Sequence, residues 1–278
     1  MSKYNFEKEI TGWGDFIEKC KQRVKDDERE LSQTFNKEIK CRLMRSPEIC
    51  PKPSYILLGM EPTISEKVLP PEEICYFPLF LRYCIYKYLC KEKFDFHITD
   101  LAKGSMLLKP PVEEAVKRKI QNYRYQKWLP LFIEEWELLG KPKIIAIGKG
   151  VYDILRRANI NNIEYVEHYS LRNDFSKLIE HYQIDYQPNE TTIIKEIKDF
   201  WAKFGNHLDT ERHKQPDSDI NFPLGEGRYK PHNMQVIFVY RYYFEQLLCT
   251  GKIPHKNDYN VAPSDAMDKL LKEIGGKT

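Results

Sequence analysis

The sequence has no apolar stretch approaching the ~20 residues that a membrane-spanning helix requires. Its apolar runs, such as Tyr55 to Met60 (YILLGM) and Lys143 to Gly148 (KIIAIG), are far shorter. The N-terminus, MSKYNFEKEI, has no apolar signal core, so no secretory leader is expected and a reducing, cytoplasmic compartment is the default. There is no CxxC. Seven cysteines (Cys20, Cys41, Cys50, Cys75, Cys84, Cys90 and Cys249), an odd number without paired spacing, argue against a disulfide framework or a zinc ribbon, and free thiols are expected. Neither sign of charge dominates: 44 Lys+Arg against 41 Asp+Glu leave +3, a balance that permits a nucleic-acid partner without requiring one. Internal repeats are missing too, and 13 Gly and 17 Pro in 278 residues exclude a collagen-like or low-complexity chain. The length suits one large domain or two small ones, and either buries a sizeable core.

What is present is a pattern of helices and short buried strands. Apolar residues at Trp13, Phe16, Ile17, Cys20, Val24, Leu31, Phe35, Ile39 and Leu43 fall in steps of three, four and seven among charges. That spacing predicts a helix over 13–44, stopped by the prolines of Ser46 to Pro53 (SPEICPKP). Four segments read as strands, 55–61, 95–101, 143–148 and 163–168, with helical stretches at 72–92, 113–139 and 149–158. Strands alternating with helices imply crossovers, and hence a three-layer αβα sandwich with a mostly four-stranded parallel sheet. Ligand sites in such sheets lie beyond the carboxyl ends of the strands. Thr191 to Phe204 is a further amphipathic helix that closes the core, 205–231 is polar and loop-like, and 234–249 is read as helix despite a strand-like first half. The expected organisation is a helical extension over 1–45, a core over 46–205, and a second extension over 206–278 packed on it.

Two strand-end segments carry candidate chemistry. In GMEPTISE (Gly59 to Glu66), a strand ends in Gly, a carboxylate and Pro, a sharp exit that projects Glu61 into the crevice. In EHYSLRN (Glu167 to Asn173), His168 stands at the end of another strand. Alone, the first reads equally as a turn with a solvated Glu, and the second as a packed or surface histidine. In order and together they resemble the two signature motifs of the uracil-DNA glycosylase superfamily, Gly-x-[Asp/Asn/Glu]-Pro after the first core strand and His-x-Ser-x-x-Asn after the last. HYSLRN is similar to the HPSPRN form of the single-strand-selective branch, and GMEP to that branch's GMNP. ITDLAKG (Ile98 to Gly104) resembles the ITNxxK strand end, and KPKIIAIGKGVYDILRR (Lys141 to Arg157) resembles a P-K-I-I-x-x-G-K-x-A segment. The resemblance covers roughly residues 46 to 205.

It implies a uracil-DNA glycosylase-like fold and a monofunctional DNA glycosylase that flips a base and hydrolyses its N-glycosidic bond without metal or cofactor. Such a reaction develops positive charge on the deoxyribose and negative charge on the departing base, so it needs an anion on one side and a hydrogen-bond donor on the other. Glu61 takes the place of the residue that positions the attacking water, and His168 that of the donor to the base O2. Phe77 or Phe80 is the candidate stacking ring, with Met60 and Thr63 beside the base. Leu171 and Arg172, next to Asn173, stand where the family inserts a wedge into the vacated stack. Lys149 and the amides opening the helix at Gly150 are expected at the DNA backbone, with Ser65, Lys103, Ser105 and Ser170 as additional contacts.

Three departures bear on substrate. Asp100 stands where many members have the Asn that reads uracil. An ionised Asp only accepts, so it repels uracil O4 and accepts from the exocyclic amine of cytosine; a protonated one donates to cytosine N3. Thr63 replaces a Tyr that blocks C5 substituents in the uracil-specific branch. Both favour a C5-modified cytosine, as in hypermodified phage DNA, with anti-phage defence as the role; uracil repair is the rival. Gly104 follows Lys103 where the iron–sulfur branches have Cys, so no iron–sulfur cluster is expected. The partner is DNA, single- or double-stranded, and no membrane. A catalytically silent DNA-binding protein, or an enzyme acting on free nucleosides, are the competing classes.

Overall fold

The computed structural model describes residues 10–36, 38–43, 50–61, 79–109, 113–170, 174–187, 191–204 and 229–255. In chain order its elements are α1 (Trp13–Phe35), β1 (Glu38–Leu43), β2 (Tyr55–Gly59), α2 (Leu79–Cys84) with a π-helical continuation Ile85–Leu89, β3 (Phe96–Asp100), β4 (Gly104–Lys109) and α3 (Glu114–Leu138). Then follow β5 (Lys143–Ile147), α4 (Lys149–Arg157), β6 (Ile163–Val166), α5 (Asp174–His181), α6 (Thr191–Phe204) and α7 (Tyr229–Thr250).

The strands alternate which apolar side chain they send to each face, and that alternation builds the layers. The four parallel strands run in the order β3-β2-β5-β6, with Gly59 beside Asp100, Leu58 beside Ala146 and Ile147 beside Val166. Ile56, Leu58, Ile144, Ala146, Ile163 and Tyr165 join one buried cluster, with residues of α1, α3 and α4. Leu57, Phe96, Ile98, Ile145, Ile147 and Val166 join the other, with α2 and its π-helical continuation, α5, α6 and α7. The result is a mixed α/β fold with helices on both faces of a four-stranded parallel sheet, as the strand and helix pattern predicted. Helices α1 and α7 come from outside the resemblance, yet they are layers of the core. Phe16 and Leu31 of α1, and Met234, Ile237, Tyr240, Tyr243 and Phe244 of α7, are buried. Full burial of a large apolar side chain contributes ~1.5–3 kcal/mol.

The helix expected over 13–44 ends at Phe35. Asn36 adopts a left-handed conformation (φ 48°, ψ 50°) and its N–H caps the Ser32 carbonyl. Residues 38–43 form a strand instead, antiparallel to β4, with Ile39 opposite Leu108 and Cys41 opposite Met106. Leu31, Phe35, Ile39 and Leu43 continue a four-residue step, while Ile39 and Cys41 satisfy a two-residue one; pairing with β4 decides between them. Neither β4 nor α5 was anticipated. The 72–92 helix is present from Leu79, and its earlier part lies outside the described residues. The reading of 234–249 as helix holds, and α7 begins five residues sooner. No helix among the described residues is long and apolar enough to cross a membrane. The six described cysteines are free, and burial pushes the Cys20, Cys41 and Cys90 thiols up to about 12.

Candidate active site

The chain builds β2, steps outward to β3, then returns across β2 to add β5 and β6, so the strand order reverses between β2 and β5. In open sheets the crevice beyond the carboxyl ends at such a reversal is where ligands bind. Four segments meet that edge here: Met60-Glu61 after β2, Asp100 at the end of β3, Gly148-Lys149-Gly150 after β5, and His168-Tyr169-Ser170 after β6. β2 and β6 flank β5, so the strands leading to Glu61 and His168 run about 10 Å apart at the usual strand spacing. The turn between them is tight at its two glycines. Gly148 has φ +95°, and a Cβ there would lie 3.4 Å from that of His168; one at Gly150 would lie 3.0 Å from Met60 Cε.

Glu61 has a side chain 19% exposed, and both its oxygens accept hydrogen bonds from α3: Oε1 from Gln121 Nε2 at 2.6 Å, Oε2 from Arg124 Nη1 at 2.5 Å. Arg124 is wholly buried. Its Nε donates to Asp27 Oδ2 of α1 at 3.1 Å and its Nη2 to the Gly104 carbonyl. Asp27, equally buried, also accepts from Trp128 Nε1 at 2.6 Å and from Arg23 Nε at 3.0 Å. Arg23 continues to Glu30 at 2.9 Å, which accepts from the Tyr123 hydroxyl at 3.1 Å. Burial tends to discharge Arg124, but the Glu61 and Asp27 carboxylates beside it more than offset this and raise its pKa. The Tyr125 hydroxyl is also pushed up, by burial first and then by the Glu61 charge.

On the other side, the surroundings of His168 favour its uncharged form. Burial lowers its pKa below the ordinary 6.5. Its Nδ1 accepts from the Ser170 backbone N–H at 3.2 Å, with Ser170 Oγ at 2.8 Å, so the ring hydrogen sits on Nε2. The Tyr169 ring stacks on it at 4.5 Å. Both neighbours of His168 are tied to α7 through their backbone carbonyls. The Tyr240 hydroxyl donates to Glu167 O at 2.6 Å, and His232 Nε2 donates to Tyr169 O at 2.6 Å.

The remaining expected residues divide. Lys149 is exposed at the first position of α4, Ser170 is exposed, and Met60 reaches the Gly150 turn. Asp100 is 5% exposed at the end of β3, and Leu101 N–H and Ala102 N–H bond back to Gly59 and Met60 at 2.9 and 3.0 Å. Two expected backbone contacts are corrected. Lys103 is buried, and its ammonium donates to Thr99 Oγ1 at 2.7 Å, to Asp100 O at 2.6 Å and to Glu135, which His97 also contacts. That ammonium neutralises a buried carboxylate and does not face phosphate. Ser105 is fully buried and donates to Arg42 O at 3.3 Å. Phe80 is a core aromatic set edge-on against Tyr169 at 6.1 Å and offers no open face for stacking a base. Thr63, Ser65, Phe77, Leu171, Arg172 and Asn173 lie outside the described residues. Asp27, Gln121, Arg124, Tyr125, Tyr240 and His232 were not foreseen as site residues. Among the described residues no three His, Cys, Asp or Glu side chains cluster as metal ligands. Compared with known proteins, the chain matches no family profile and no curated protein.

Proposed function

We propose that this protein is a monofunctional DNA glycosylase, with the uracil-DNA glycosylase-like arrangement, that hydrolyses the N-glycosidic bond of an extruded pyrimidine-type base. The observation that carries the reading is the presence at one sheet edge of an ion-paired carboxylate and of an imidazole whose Nδ1 accepts from Ser170 N–H, which leaves the ring hydrogen to Nε2. Strand order and the glycine turn that brings His168 against β5 support the same fold. A carboxylate has about four lone-pair sites, and Gln121 and Arg124 occupy two, so Glu61 retains capacity to hold a water. Its pairing to Gln121 and Arg124 fixes the carboxylate in place. Its part is to orient the water and to face the positive charge that grows on the sugar as the bond to the base lengthens. His168 Nε2–H donates to the base O2 as negative charge collects there, and the ring needs no proton from solvent to do so. The C–N bond breaks with its electron pair going to the base, water oxygen bonds to the anomeric carbon, and the water's proton is released to solvent. An abasic site remains.

Asp100 favours a cytosine-type base, since a carboxylate at that strand end accepts from an exocyclic amine and repels uracil O4, and the C5 substituent is read from the sequence alone, from the small Thr63. Anti-phage defence is the role such a base suits, and free thiols fit a reducing, cytoplasmic compartment. The test is a set of oligonucleotides, single- and double-stranded, that differ only in the target base and are treated with alkali after exposure to the protein. Cleavage at C5-substituted cytosine above uracil is expected, and Asp100→Asn shifts the ratio toward uracil. Tight binding with no cleavage of any base makes the protein a silent DNA-binding module; release of base from free nucleosides alone makes it a nucleoside hydrolase.

A further inference from the structure

We infer that Asp27, on α1, is a positioning residue for Glu61 that acts through Arg124; the inference rests on the glycosylase reading above. The Arg124 guanidinium has acceptors on three separate elements: the Asp27 carboxylate on α1, Glu61 after β2, and the Gly104 carbonyl at the start of β4. A planar fork held at Nε, Nη1 and Nη2 has no rotation left. Its Nη1, which meets Glu61, is therefore fixed in space by residues that touch no substrate.

Gly104 is part of the same device. A Cβ at that position would lie 3.2 Å from Arg124 Nη2, 3.3 Å from Trp128 Cζ2 and 3.3 Å from Val24 Cγ2, so any larger residue would crowd the guanidinium and push it by a few tenths of an ångström. Asp27 is pinned in turn by the Trp128 indole and by Arg23.

Charge gives Asp27 a second effect. Glu61, Asp27 and Glu30 are three carboxylates around two guanidiniums, those of Arg124 and Arg23, which leaves one net negative charge in the network. Glu61 is the member at the crevice end, 19% exposed, while Asp27 and Arg124 show no side-chain surface. An arginine serving Glu61 alone would cancel its charge. By sharing Arg124, Asp27 leaves Glu61 an anion toward a developing cation while holding it still.

The experiment is a double-substitution cycle on the full chain, read as single-turnover base excision and, separately, as DNA affinity. Asp27→Asn is expected to slow excision on the order of tenfold with unchanged affinity, within the coupling that contacting residues show. In a Glu61→Gln background the same change is expected to cost under about twofold, because the group it positions has lost its charge. Gly104→Ala, which keeps every charge, serves as the second variant and is expected to slow excision in wild type and not in Glu61→Gln. Losses that multiply across the two backgrounds, or a fall in affinity that accounts for the slower rate, overturn the positioning role and leave the glycosylase reading standing. A wild-type protein that cuts no base overturns that reading and this inference with it.

Discussion

The two halves of the site are held by opposite means. On the α1–α3 side, Glu61 is gripped side chain to side chain by a buried charged network. On the α7 side the His168 ring, among the described residues, has hydrogen bonds from Ser170, and it is the backbone before and after it that α7 ties down. The difference follows from charge. An anion taken out of water must be met by donors at its own atoms or its burial costs several kcal/mol. A neutral imidazole carries no such debt, so fixing its backbone suffices. On the proposed mechanism, the acid would be oriented by side-chain partners before substrate arrives, and the imidazole by its backbone.

Removing each group tests that division at its strongest. Glu61→Ala is expected to lower single-turnover excision by ~10²–10⁴, and His168→Ala by ~10²–10³, the range for loss of one donor to a developing oxyanion. DNA affinity should hardly change in either. Losses of affinity as large as the losses of rate would remove both residues from the chemistry. Next in size are the supports. Arg124→Met leaves Asp27 and Glu61 without their shared cation and should lower unfolding free energy in urea by ~3–5 kcal/mol. Tyr240→Phe leaves the Glu167 carbonyl buried without its donor and should cost ~1–3 kcal/mol. A larger loss from Tyr240→Phe than from Arg124→Met breaks the contrast between a charged and a neutral half.

Much of this was legible in the chain. Short segments read as buried strands match β2, β3, β5 and β6, and the motifs at their ends named Glu61, Asp100, Lys149 and His168, which share one sheet edge. The supports were not read, although they left a signal. On α3 the buried residues Ile120, Trp128 and Phe132 step by four, and the position between the first two is Arg124. On α1 the stripe Trp13, Phe16, Cys20, Val24, Leu31 is completed by Asp27. A charge standing in an apolar stripe is buried and needs a partner, and here Asp27 on one stripe meets Arg124 on the other. Lys103 was misread because a lysine in a strand-end motif looks the same whether it faces phosphate or a buried Glu135; only the packing of α3 over β3 decides. The hydroxyl and imidazole of α7 that hold the His168 backbone leave no mark in sequence, because a carbonyl acceptor is present at every residue.

The smallest expected effect separates the two sides by acidity. The histidines along β6 both have lowered pKa values. Burial lowers that of His168, and burial with the Lys149 charge lowers that of His255, stacked on Tyr165, to about 4. Between 6.5 and about 4 the unfolded chain then binds more protons than the folded one, so stability declines as pH falls through that window. On the α3 side the Glu135 carboxyl is lowered as well, but from 4.5, so it responds in a more acid window. Burial raises its carboxyl, but the Lys103 charge and the His97 hydrogen bond outweigh this and hold it below 4.5. Its contribution is complete above 4.5 and is lost only as pH falls further. Amide exchange followed from pH 7 to pH 5 should therefore show α7 and β6 losing protection while α3 keeps it. His255→Gln should remove part of that loss, and equal protection of both sides throughout the window would mean that the β6 histidines are not the groups that sense acid.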